Sequence, residues 1–172
     1  AIHRGNGLAN VFAKLNSGQT AKIAYIGGSV TQNPGWRDNV TSWFSSKYPG
    51  KITEVNAGWS GTGSLIGAMR LQRDVLAQNP DLVFVEFSVN DGGAPPERIW
   101  RAFDGFLRQA WGQDPRIDFC FIYTLVTGYV QELSNGLCPR AASADEMIAE
   151  YYGIPAINVA LRTVQIGNEG KL

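Results

Sequence analysis

Short apolar runs rich in β-branched and aromatic residues recur along the chain, at Lys22–Ile26, Lys51–Val55, Asp81–Phe87, Ile117–Leu125 and Pro155–Val159. Each is about the length of a strand. Between them the apolar positions change to helical spacing, at Trp36–Tyr48, Ser64–Gln78, Pro96–Trp111 and Ala141–Tyr152. The third of these opens on prolines, which a first helical turn tolerates because its N–H groups have no partner inside the helix. A shorter amphipathic stretch, Leu8–Leu15, precedes the first strand. Alternating strands and helices predict an α/β fold, a three-layer α/β/α arrangement with a five-stranded parallel sheet covered on both faces. No Pro/Gly/Ser-rich linker and no internal repeat divides the chain, so residues 1–172 are expected to form one domain.

Composition narrows the possible partners. A chain of 172 residues with 44% hydrophobic side chains buries enough surface to fold without disulfide, metal or partner. Its 15 basic residues balance its 15 acidic ones, and there is no basic run. That removes the electrostatic term behind most binding to nucleic acid and acidic membranes, so neither partner is expected. The longest weakly polar run, Phe119–Val130, is interrupted by Tyr123, Thr124, Thr127 and Gly128 and is too short to cross a bilayer. No charged-then-apolar leader precedes Leu8. Cys120 and Cys138 fit no zinc or redox spacing; two free thiols are the plain reading, a bridge between them the other. No cofactor and no metal are expected.

In open parallel sheets chemistry gathers beyond the carboxyl ends of the strands. The first strand exits into Gly27-Gly28-Ser29-Val30-Thr31, which displays a hydroxyl after two residues that allow tight backbone angles. The same residues also make an ordinary turn that caps a helix. The second exit, from Asn56 through Trp59, Gly61 and Gly63 to Ser64, can turn backbone N–H groups toward an anion. A phosphate-cradling turn is the rival reading, but Gly67 comes one residue too late for G-x-G-x-x-G. The third exit, Ser88-Val89-Asn90-Asp91-Gly92-Gly93, supplies an amide able to donate to developing negative charge, or a plain turn. Glu86, a carboxylate inside an apolar strand, reads as support for neighbouring loops. A serine, a glycine-rich N–H loop and an asparagine at three successive exits are parts of an acyl-transfer site.

On these residues the chain resembles the SGNH (GDSL-type) hydrolase superfamily, esterases and acylhydrolases on a flavodoxin-like sheet. The resemblance implies that Ser29 is the nucleophile, with Gly28 in place of the usual Asp. It further implies that the N–H groups of Ser29 and Gly61 and the side chain of Asn90 form the oxyanion hole, with Gly58 a weaker match than Gly61 and Ser88 standing in for a family glycine. The family's Asp-x-x-His block, which supplies the general base, has no match. The only histidine is His3, which is expected to lie far from the strand exits. The leading expectation is that the sequence is a portion whose continuation, or an associated carboxyl-terminal fragment, carries Asp-x-x-His, and that the last helix and the His-bearing loop are missing from it. A non-catalytic glycan-binding module and a catalyst using Asp91 through water are the alternatives. The Gly-Gly-Ser-Val-Thr and Gly-Trp-Arg segments are closest to bacterial relatives that deacetylate carbohydrates, which implies a carbohydrate or small-molecule ester as substrate and favours a secreted or periplasmic setting. Trp36, Trp59 and Tyr129 are candidate sugar platforms, with core packing the competing role.

Overall fold

The computed structural model describes residues 2–171. The strands are β1 (Ile2–His3), β2 (Ala21–Gly27), β3 (Ile52–Gly58), β4 (Leu82–Glu86), β5 (Asp118–Tyr123) and β6 (Ala156–Asn158). The helices are α1 (Ala9–Asn16), α2 (Ser29–Gln32), α3 (Trp36–Lys47), α4 (Ser64–Asp74), α5 (Pro96–Gln113), α6 (Val130–Ser134), α7 (Arg140–Tyr152) and α8 (Val159–Asn168). All strands join one sheet in the order β1-β6-β5-β4-β2-β3. Every pairing is parallel except that of β1 with β6.

The five predicted strands and their flavodoxin-like order are therefore present, and the sheet has six strands rather than five because an antiparallel edge is added. Ile2–His3 is too short to show a two-residue alternation, so only pairing with Ile157 and Ala156 defines it. A second difference is α8, in a segment where no helix was predicted. Its buried residues Ala160 and Val164 are one turn apart, and the Asn158 carboxamide accepts from the Leu161 N–H at 2.8 Å, capping its start.

Two apolar layers enclose the sheet. On one face α4, α5 and α7 contribute Leu71, Phe103, Phe106 and Ala149 against Val83, Val85 and Phe121. On the other, α1 and α3 contribute Val11, Leu15 and Phe44 against Ile23, Tyr25 and Phe84. Helix α5 shows how pattern becomes packing: Ile99, Ala102, Phe103, Phe106, Leu107 and Ala110 form one buried stripe at helical spacing. Gly67 lets α4 approach this layer, since a Cβ there would meet the Phe87 ring at 2.5 Å. Among the described residues no helix is long and apolar enough to cross a membrane. Cys120 is buried, Cys138 is exposed, and both are free.

Candidate active site

The chain leaves β2 for β3 on one side and returns to β4 on the other, so the sheet order reverses between β2 and β4. Loops part at such a point and leave a crevice. Ser29 opens α2 directly from β2 at one wall, and Asn90 lies in the turn after β4 at the other. Two glycines make the approach possible. A Cβ on Gly27 would lie 2.1 Å from Thr31 Oγ1 and 2.6 Å from the Glu86 carbonyl, and one on Gly28 would lie 2.1 Å from Asn90 Oδ1. Asn90 Oδ1 is buried without a partner, and its amide nitrogen donates to no acceptor among the described residues. Gly28 thus sits where a side chain would displace the Asn90 carboxamide.

Ser29, Trp36, Thr124, Leu125 and Val159 line a cleft of about 330 Å³. The Ser29 N–H, at the first position of α2, is among the groups a helix leaves without an internal acceptor.

Glu86 at the end of β4 is fully buried (0% exposed). It accepts from Thr31 Oγ1 at 3.0 Å and Thr124 Oγ1 at 2.7 Å, tying the turn behind Ser29 to the exit of β5. Burial pushes its pKa up, and the two hydroxyl donors oppose that shift. The Glu86 side chain supports the neighbouring loops, as its sequence context suggested. Arg37 donates from Nε to the Thr31 carbonyl at 3.1 Å and pairs with Glu54. Arg70 reaches from α4 to the carbonyls of Ala57 (2.7 Å) and Gly27 (3.2 Å), holding the ends of β3 and β2 together. Neither arginine stood out in the sequence: a single Arg in a helical segment looks like an ordinary solvent-facing residue until its acceptors are known.

The loop after β3 is pinned by the Trp59 N–H on the Gly27 carbonyl (2.9 Å) and by the Ser60 N–H on Gln32 Oε1 (2.7 Å). Gly61 turns it at φ +74° with open space around its Cα, a conformation that favours glycine. Gly58 fills a different role, because a Cβ there would meet the Gln32 backbone nitrogen at 2.3 Å. Asp91 caps α4, accepting from the Ser64 N–H at 3.0 Å, and burial pushes its pKa up. Its Oδ1 is thus engaged at the start of α4, while Oδ2 is buried without a partner among the described residues.

The aromatic candidates separate. Trp36 packs edge-on against Tyr25 (5.5 Å) and Phe84 (6.0 Å), so most of it belongs to the core while one side borders the cleft. Tyr129 is a staple whose hydroxyl donates to the Ser88 carbonyl at 3.2 Å. Trp59 is 50% exposed, with the Arg70 guanidinium 5.8 Å from its ring centroid, and lines a neighbouring groove of about 470 Å³ with Asn56 and Arg73. His3, on β1, is separated from β2 by four strand spacings, roughly 19 Å, and is out of reach of Ser29.

A family profile described as GDSL-like lipase/acylhydrolase matches residues 25–169. The chain belongs to this family. Among solved structures it is similar to a two-domain esterase active on acetylated mannans, with a TM-score of 0.80 and 25% identity over 96% of this chain and 44% of the other. It also resembles an acetyl xylan esterase from Geobacillus stearothermophilus, with a TM-score of 0.67 and 19% identity over 87% of this chain and 81% of the other. A third relative in fold is an α/β hydrolase from the metagenome of Lake Arreo, Spain, with a TM-score of 0.67 and 19% identity over 86% and 82% of the two chains. The GDSL-family chain thus spans less than half the length of the mannan esterase. A search of curated proteins finds no match.

Proposed function

We propose that this GDSL-family chain belongs to a serine esterase that removes acetyl groups from carbohydrates or small esters. The observation that carries this reading is the placement of Ser29 and Asn90 on the two walls of the β2/β4 crevice, with Gly28 packed against the Asn90 amide. Ser29 Oγ attacks the ester carbonyl. The Ser29 N–H, the Gly61 N–H and Asn90 Nδ2 donate to the oxyanion that forms, and such donors are worth most at the tetrahedral intermediate. A serine hydroxyl needs a base to take its proton. With His3 out of reach, we assign that role to an imidazole contributed from outside these 172 residues, as the Asp-x-x-His block of the family implies. Preference for acetylated polysaccharide draws on the mannan and xylan esterases that share the fold, and Trp59 offers an exposed ring to a sugar.

Acetate release from acetylated mannan and xylan, measured with and without a supplied Asp-x-x-His segment, tests the reading. Turnover is expected only with the segment, and Ser29→Ala is expected to remove it while the far-UV CD spectrum stays unchanged. Hydrolysis undiminished in Ser29→Ala would falsify the assignment. Binding of an acetylated glycan without turnover under both conditions would favour a binding module instead.

A further inference from the structure

At the edge of the sheet away from the crevice lies a second group of side chains that ester hydrolysis does not use. His3 is held on β1 by pairing with Ala156. Glu146 and Glu150 are four residues apart on α7 and share one face of that helix. His3 Nδ1 lies 3.6 Å from Glu146 Oε1. One donor atom from each of His3, Glu146 and Glu150 lies within 4.8 Å of the other two. Ligand bonds of about 2.0–2.2 Å to a shared ion bring such donors to roughly 3–4 Å from one another, so a small rotation of the exposed Glu150 completes the set. Among the described residues neither glutamate is paired with Lys or Arg.

A second observation points to the same place. His3 and Glu146 border a cavity of about 280 Å³ that is also lined by Tyr123, Cys138 and Asn158. Tyr123 is 2% exposed, and its hydroxyl, which has the Glu146 carboxylate beside it, makes no well-formed hydrogen bond among the described residues. A buried donor without an acceptor is unfavourable. An ion-bound water in the cavity would supply that acceptor, with the phenol acting behind the ligands.

We propose that His3, Glu146 and Glu150 bind a divalent transition-metal ion of zinc's class, which fastens the edge strand β1 to α7. One neutral imidazole with two carboxylates is a nitrogen-and-oxygen set that suits zinc better than magnesium or calcium, both of which favour all-oxygen sites. The ion spans two elements far apart in sequence, so its effect is read in stability, separately from events at Ser29.

The test is calorimetric titration of Zn²⁺ into tag-free, EDTA-treated protein, beside thermal melts. One equivalent is expected to bind, and at about a hundredfold excess over Kd the Tm is expected to rise by roughly 5–10 °C. His3→Ala, Glu146→Gln and the exposed Glu150→Gln are each expected to weaken binding at least about tenfold. Cys138→Ser should leave binding intact, and Mg²⁺ should compete poorly. No saturable one-site binding, binding that persists in all three ligand variants, or binding lost in Cys138→Ser would overturn the proposal. Should His3→Ala or Glu146→Gln fail to fold, Glu150→Gln decides the matter, because its side chain is exposed and supports no packing.

Discussion

The β2/β4 crevice and the β1/β6 edge are both built at strand ends, yet they are made by different means. In the crevice, backbone meets backbone or buried side chain so closely that Gly27, Gly28 and Gly58 leave no room for a Cβ, and Glu86, Arg37 and Arg70 spend their polar atoms on the loops around Ser29. At the edge, a two-residue strand is joined by half-exposed ionisable side chains beside an open cavity. The first region is fixed by close packing, which responds sharply to a single added atom. The second can adjust, which suits a site completed by a ligand.

The largest break in this contrast is expected from Gly28→Ala and Asn90→Ala. The first drives a Cβ into the Asn90 amide and the second deletes it, so each is expected to lower kcat by about 10²–10³-fold in the acetate-release assay. Gly93→Ala, in the same turn but with open space around it, is expected to change stability by no more than about 0.5 kcal/mol. Turnover unchanged in Gly28→Ala would show that Asn90 is not held by that contact.

Next in size is Glu86→Ala, which strands the hydroxyls of Thr31 and Thr124. A loss of about 1–3 kcal/mol in urea unfolding is expected, together with slower turnover as α2 loosens. An equal loss with kcat untouched would confine Glu86 to stability alone.

The smallest effect is expected at Asp145 on α7, which is 1% exposed and has an unpartnered Oδ1. Burial first, then the charges of Asp91, Glu86 and Glu146, raise its pKa well above 3.8. The folded protein therefore holds this proton more tightly than the unfolded chain. Stability from this group is complete below about pH 4 and is lost as pH rises toward the folded pKa. Asp145→Asn is expected to flatten that decline and to raise the Tm at pH 7 relative to the parent. A Tm lowered at pH 7 would mean that the carboxylate is paired when charged.

Much of this was legible in the sequence where the signal was local. Runs such as Leu82–Phe87 announce strands because a strand buried on both faces has to be apolar throughout, and Ser29 and Asn90 stood out because each follows such a run. Strand β1 was not legible, since two residues carry no period, nor was α8, whose buried stripe within the helix is only Ala160 and Val164. Trp36 resembled a loop platform and is mostly core. Arg70 and Thr124 carried no signal at all, because their value lies in acceptors contributed by residues distant in the chain.

By itself, the sequence determined the alternation of strands and helices, the exits that carry hydroxyl and amide, and the neutral surface charge, all of which follow from residue type and spacing within a few positions. Only the tertiary structure decided that Gly28 meets Asn90, that Glu86 joins α2 to the end of β5, and that His3 faces Glu146 rather than Ser29. These contacts link residues tens to more than a hundred positions apart, and their geometry is set by strand order and packing, which no local pattern encodes.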